Sequence, residues 1–228
     1  KPKTFLHQTL LNIGYNKLFW SGSRANLRCK DNASNLDCIN LNIKNLNELV
    51  PSILNDNSLM IYLEQSIFPR IFQKISAANY DSIDGALSHL SNKNIIEDNS
   101  LFFFIHEMVP HPPYVTENCE PIFGTGNVYV GQNHREYYNS SIGCLNKKIQ
   151  KFIEFIDKKD KGAIIVIQGD HGSKFKKIKT NRFADLSEDY FIERFSNFNA
   201  FRLPKDCEKN LYDSIGTVNS IRLVIACA

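Results

Sequence analysis

The chain has 228 residues, 43% hydrophobic and 22% charged, with a net charge of +3. Length and apolar content suit one large α/β-sized domain with a proper core, and so small a charge makes no case for a nucleic-acid partner. No apolar run approaches the ~20 residues of a membrane-spanning helix and no signal peptide is visible, yet the chain begins at Lys1 rather than Met; it therefore reads as a processed product or a fragment, with any anchor or export signal upstream.

Residues 2–13 are predicted helical: Pro2 suits a first turn, and Phe5, Leu6, Leu10 and Ile13 recur at helical spacing before Gly14 ends the helix. Leu18-Phe19-Trp20 makes a short strand. A helix followed by a strand is half of an α/β unit, so the sheet is expected to lack its first strand here. Residues 24–45, rich in Asn, Asp and Lys, read as loop; 46–75 carry two or three helical patches punctuated by Pro51 and Pro69; a further helix is placed around Ile83–Leu90, with His89 at its surface.

Leu101-Phe102-Phe103-Phe104-Ile105 is a strand with no polar face, as a strand covered on both sides would be. It runs into His106-Glu107-Met108-Val109-Pro110-His111-Pro112-Pro113-Tyr114, where the prolines forbid regular structure and stiffen the backbone that carries two imidazoles. His106 reads equally as a core histidine, and Tyr114 as packing under the proline loop. After an excursion over 116–135, with His134 as a surface residue, residues 136–158 give a strongly amphipathic helix. Tyr138, Ile142, Leu145, Ile149, Phe152, Ile153 and Ile156 form its apolar face; Lys147, Lys148, Lys151, Glu154 and Lys158 form the solvated one.

Ala163-Ile164-Ile165-Val166-Ile167 is the second buried strand, and it stops at Gln168-Gly169-Asp170-His171-Gly172. Ligands of open α/β sheets sit beyond the carboxyl ends of strands. A carboxylate and an imidazole between two glycines could turn toward one ion, with Zn or Mn suiting that oxygen–nitrogen pair; a polar turn after a strand accounts for the same residues. Strand 101–105, helix 136–158 and strand 163–168 are expected to form a parallel β-α-β unit. Beyond Gly172, Lys174, Lys176, Lys177, Lys179 and Arg182 either attract an anionic substrate or form a solvated loop. Residues 198–203 read as a strand, and Val218, Ile221 and Ile225 as a last helix.

Of the six cysteines none forms a C-x-x-C pair, which argues against a zinc ribbon. Separated cysteines in even number fit disulfides in an oxidising compartment, with Cys29–Cys38 the first candidate pair and Cys119–Cys144 the second; free buried thiols in a cytosolic protein are the alternative.

Three separated motifs occur in order: H-x-x-x-x-H-P-P-Y from His106, Q-G-D-H-G from Gln168, and E-R-F-S-N-F-N-A-F-R-L-P from Glu193, with V-N-S-I-R-L from Val218 closing the chain. Together they resemble the sulfatase-like branch of the alkaline phosphatase superfamily, which includes lipoteichoic acid synthases and phosphoethanolamine transferases. The resemblance implies a three-layer α/β/α sandwich around a mostly parallel sheet, with residues 1–228 as the C-terminal two-thirds of one catalytic domain. It implies Asp170 and His171 as ligands of a divalent metal, Mn or Zn ahead of Ca, and His111, with His106 close by, as the contact to the phosphate or sulfate group. It implies displacement at phosphorus or sulfur through a covalent intermediate, on the periplasmic or cell-surface side of a bacterial membrane, with anchoring through segments upstream. The family's nucleophilic Thr, Ser or Cys and its upstream acidic ligand match no residue here, nor does its further His beyond Asp-His-Gly. Lys174, Lys176 or Arg182 are the candidates to compensate in binding substrate. A sulfatase, or an anion-binding module without the nucleophile, are the alternatives to a phosphotransferase.

Overall fold

β-Branched and aromatic residues without a polar face make strands, and in the computed structural model the two longest such runs are strands. The structure describes residues 5–15, 17–22, 36–38, 82–92, 101–122, 125, 133–173, 175 and 185–227. The predicted patches over 46–75 lie outside them. The chain divides into two units, Lys1–Phe155 and Ile156–Ala228.

In the first unit, α1 (Phe5–Asn12) leads to β1 (Lys17–Gly22), followed by β2 (Leu36–Cys38), α2 (Ser82–Asn92), β3 (Leu101–His106) and α3 (His134–Lys159), whose last residues belong to the second unit. α1 ends as expected at Gly14, whose φ of 103° is left-handed; the Tyr15 N–H returns to the Leu10 carbonyl at 3.0 Å. β1 is the centre of a parallel sheet in the order β2-β1-β3, in register from Lys17 opposite Leu101 to Gly22 opposite His106. β2 corrects the loop expected over 24–45. Leu36-Asp37-Cys38 is too short to show alternation, so its pairing with β1, not its own pattern, makes it a strand.

Alternate residues of β3 face opposite ways. Leu101, Phe103 and Ile105 pack with Phe152 of α3 against the fully buried Ala86 of α2, while Phe102 meets the edge of the Tyr15 ring, centroids 6.2 Å apart. α3 departs from its predicted faces. Its most buried residues are His134, Ser141, Cys144 and Lys148, at spacings of seven, three and four that place them on one line. Lys148, expected in solvent, is 5% exposed, and His134, expected at the surface, is 6% exposed. The apolar residues beside this line are only half-buried. The polar line is buried because it faces the loop after β3, whose backbone groups need partners that apolar side chains cannot supply.

In the second unit, β4 (Ile165–Gln168) pairs antiparallel with β5 (Asn199–Arg202), Gln168 opposite Asn199. Between them lies α4 (Glu188–Phe195), and after them α5 (Lys205–Glu208) and α6 (Thr217–Cys227). β5 and α6 fall where expected. α4 is not among the predicted elements, though its signals are present: Ser187 caps it, with the Tyr190 N–H donating to Ser187 Oγ at 3.3 Å, Glu188 and Asp189 fill its first turn, and Phe191 stacks on Phe195. The strand–helix–strand order of β3, α3 and β4 is as predicted; the ladders formed by the described residues are β2-β1-β3 and β4-β5. The alternation of strands and helices makes the chain an α/β protein.

Candidate active site

β4 delivers Gly169, Asp170, His171 and Gly172 to its carboxyl end. The backbone there is held by the stretch from Glu193 to Asn199. The Gly169 N–H donates to the Phe198 carbonyl at 2.9 Å, and the Gly172 N–H to the Arg194 carbonyl at 2.7 Å. Asn197 Nδ2 donates to the Asp170 carbonyl at 3.3 Å. Gly172 has to be glycine: a Cβ there would run into the Glu193 carbonyl oxygen. The Glu193 carboxylate accepts from Ser173 Oγ at 3.1 Å and from the Phe175 N–H, fixing the chain on either side of residue 174. Asn199 turns the other way, its Nδ2 donating to Ser220 Oγ at 3.1 Å and to the Ile215 carbonyl at 3.3 Å. The third and fourth sequence motifs are thus the support of the second. The closing helix holds Asn199 through the fully buried Ser220, and the stretch it belongs to holds Gly169 to Phe175.

On this frame Asp170 and His171 are exposed, with His171 Nε2 3.6 Å from Asp170 Oδ2. His171 Nδ1 lies 2.9 Å from the Gly172 carbonyl oxygen, which also accepts from Arg194 Nη1 at 3.0 Å; Nη1 is itself 2.9 Å from Nδ1. A carbonyl only accepts, so a bond to Gly172 requires the proton on Nδ1 and leaves the Nε2 lone pair directed at the Asp170 side. The opposite tautomer would take Arg194 as donor to Nδ1 and remove Nε2 as a ligand. Two bonds of ~2.1 Å at a tetrahedral angle place their donor atoms about 3.4 Å apart, so one carboxylate oxygen and one imidazole nitrogen at 3.6 Å fit a divalent cation. An imidazole nitrogen oriented by a carbonyl on the other nitrogen is the usual arrangement of a ligating histidine. Among the described residues no group of three or more His, Cys, Asp or Glu side chains converges on one point. Asp170 and His171 are therefore a two-donor arrangement within the described part of the protein.

The loop after β3 is built differently. His106 ends the strand and is half-buried, as is His111. The His111 N–H donates to the Met108 carbonyl at 2.7 Å, and His111 Nδ1 lies 2.6 Å from the Pro112 carbonyl oxygen, which makes Nδ1 the protonated nitrogen. The peptides before Pro110 and Pro113 are cis. Tyr114 is 1% exposed and packs against the rings of His134 and Tyr137, at 5.7 and 6.1 Å between centroids; it packs under the proline loop, as expected. α3 fastens the residues after Tyr114. The Val115 N–H donates to Ser141 Oγ at 3.0 Å, Ser141 Oγ donates back to the Val115 carbonyl at 3.2 Å, and Cys119 is disulfide-bonded to Cys144.

Glu107 carries no signal in the sequence, where it looks like any polar residue between two histidines. Its Oε1 accepts from the Met108 N–H at 2.9 Å and the Val109 N–H at 3.5 Å, and its Oε2 from the Ile83 N–H in the first turn of α2 at 3.3 Å. Burial pushes its carboxyl up from 4.5 to about 7, against the pull of the Lys148 ammonium and the three backbone donors. Lys148 Nζ in turn pairs with Asp84 of α2 at 2.9 Å. Arg194, Glu193 and Asn197 stand in the sequence only as letters of a motif; the spacing gives no hint that their partners lie some twenty residues upstream.

Of the remaining expectations, Cys119–Cys144 is present, and a second disulfide outside the two candidate pairs, Cys207–Cys227, joins α5 to α6. Cys29, and with it the pair Cys29–Cys38, lies outside the described residues, as do Lys174, Lys176 and Arg182. No curated protein and no solved structure matches the chain. Compared with protein families, it matches the one described as Sulfatase over residues 14–214. That span takes in both motif-bearing loops, the one that presents His106 and His111 and the one that presents Asp170 and His171, and the chain belongs to the sulfatase family.

Proposed function

We propose that the protein is a metal-dependent hydrolase or transferase of phosphate or sulfate esters, with phosphoryl transfer on a cell-envelope lipid or glycan as its preferred reaction. Membership of the family supports a sulfate- or phosphate-ester hydrolase or transferase acting on an anionic substrate. The observation that carries the reading is the convergence of Asp170 Oδ2 and His171 Nε2, with Nδ1 turned to the Gly172 carbonyl. These two atoms would hold a divalent ion, Mn or Zn ahead of Ca. When bound, such an ion polarises an ester oxygen and lowers the pKa of a nucleophile. Asp170 would supply the negative charge that offsets the ion, and the ion would select the His171 tautomer whose Nδ1–H donates to the Gly172 carbonyl.

His111 contacts the sulfate or phosphate group in this reading. With Nδ1 donating to Pro112, a neutral ring offers Nε2 only as an acceptor, while the protonated ring donates from Nε2 to an anion. The basic stretch holding Lys174, Lys176 and Arg182 would add attraction for the substrate. The nucleophile and a further acidic ligand would come from chain beyond residues 1–228, within one catalytic domain of three layers. Export from the cytoplasm is supported by the disulfides Cys119–Cys144 and Cys207–Cys227. No helix among the described residues is long and apolar enough to cross a membrane; anchoring would rest on other segments.

Titration calorimetry with Zn²⁺ and Mn²⁺ tests the site. Asp170→Ala should lower the affinity at least tenfold, and unchanged affinity would remove the assignment. In a protein that also carries the chain beyond residues 1–228, turnover of p-nitrophenyl phosphate against p-nitrophenyl sulfate separates phosphotransferase from sulfatase. Metal binding with neither ester consumed would favour an anion-binding module, the reading supported by the lack of a residue matching the family's nucleophile.

A further inference from the structure

A charged carboxylate is costly to withdraw from water, and Glu107 is withdrawn from it between the two imidazole-bearing residues. Its three acceptor bonds form a chain. Oε2 takes the Ile83 N–H of α2, Oε1 takes the Met108 and Val109 N–H groups, and the Met108 carbonyl takes the His111 N–H. One carboxylate thus links the first turn of α2 to the peptide that fixes His111. Below the turn, Val109 and Val115 close on Cys144 of α3, which leaves the segment little room to rearrange except through these polar bonds. We propose that Glu107 is the positioning residue of the imidazole-bearing turn, holding the Met108 peptide at the orientation from which His111 is presented. The inference rests on the reading of His111 as the anion contact.

The charged groups facing Glu107 are Lys148 from α3 and, through Lys148, Asp84 from α2; His106 precedes it on β3. A carboxylate accepts from all three backbone donors. A protonated carboxyl keeps one oxygen as a full acceptor and turns the other into a donor, which has no acceptor to meet among N–H groups. Burial brings the exchange between these two forms up to about pH 7. The closed turn therefore binds this proton more tightly than a solvent-opened one, and opening becomes easier as pH rises through that value.

The experiment is NMR on the full chain, labelled with ¹³C at the glutamate carboxyls and ¹⁵N throughout, from pH 5 to 9. The Glu107 carboxyl should titrate near 7, and the Met108, Val109, Ile83 and His111 amides should follow the same midpoint. In Glu107→Gln, which keeps the size and one acceptor, that shared midpoint should vanish from all four amides. Hydrogen exchange at Met108, corrected for intrinsic base catalysis, should be about tenfold faster at pH 8 than at pH 6 in the wild type and independent of pH in the variant, a tenfold change being ~1.4 kcal/mol of opening. A Glu107 carboxyl titrating near 4.5, measured in the unaltered protein, would overturn the proposal. So would amides whose midpoint survives Glu107→Gln. Millimolar sodium sulfate separates this from the functional reading. Sulfate that leaves the His111 ring unmoved while the Glu107-dependent midpoint holds removes the anion contact and keeps the brace. Sulfate that moves His111 equally in both proteins, with no change in midpoint, does the reverse.

Discussion

The two loops that carry the candidate residues, one in each unit, are held by different means. The segment from His106 to Cys119 is fixed by side chains: Glu107 within the turn, and Ser141 and the Cys144 disulfide of α3 on the residues after Tyr114. Asp170 and His171 are fixed through their own main chain: the Gly169 and Gly172 N–H groups go to carbonyls of the 194–198 stretch, and the Arg194 and Asn197 side chains donate to the Gly172 and Asp170 carbonyls. The first arrangement buries charge and is open to titration. The second leaves its functional side chains exposed and depends on backbone approaching backbone. A proline-stiffened loop cannot form a ladder, so side chains must satisfy its polar groups; a strand end continues the ladder by one or two bonds and needs only a glycine where the chains close in.

The largest effect should come from the main-chain contact. Gly172→Ala forces a methyl into the Glu193 carbonyl, and overpacking of this kind against backbone costs about 3 kcal/mol or more. It should also displace His171, so urea denaturation and Zn²⁺ affinity should fall together. A variant as stable as the wild type would mean that α4 does not press on the strand end as described.

Removing the Cys119–Cys144 cross-link, which spans 25 residues, should cost about 3 kcal/mol on the chain-entropy account. Cys119→Ser with Cys144→Ser should lower the melting temperature and loosen the His106–Tyr114 turn while leaving the Asp170–His171 signals in place. Equal loss in both regions would erase the distinction drawn between them.

Glu107 gives a pH signature of similar size. Its folded carboxyl is raised from 4.5 to about 7, so the folded state binds the proton more tightly than the unfolded. Below 4.5 both forms are protonated and nothing is lost. Stability then falls as pH rises to about 7 and stays level above, by about 3 kcal/mol in all. Glu107→Gln should flatten that decline, seen as the difference between the two proteins in urea midpoints at about pH 4.5 and 7.5. The smallest effect expected is at the far support of the Asp170–His171 pair. Ser220→Ala removes an acceptor for Asn199 and a donor to Gly216, for about 1 kcal/mol, read as a modest drop in melting temperature with Zn²⁺ affinity nearly kept.

Residues 101–105, 136–158 and 163–168 could be read as strand, helix and strand because each pattern is long or uniformly apolar, and the ends of strands could be read as the place of Asp170, His171, His106 and His111 because α/β sheets put ligands there. The family could be read from motif order. By itself, then, the sequence determined the class of fold and the family, and it offered Cys119–Cys144 as the second candidate of its disulfide pairs. Only the tertiary structure decided that Lys148 and His134 are buried, that Leu36-Asp37-Cys38 is a strand, that Glu107 is an inward brace and that the Glu193–Asn199 stretch supports Asp-His-Gly. Periodicity reports which face of an element is apolar, but burial of a polar group is set by the backbone donors and acceptors brought to it from elsewhere in the chain, and those meetings join residues some twenty or more positions apart.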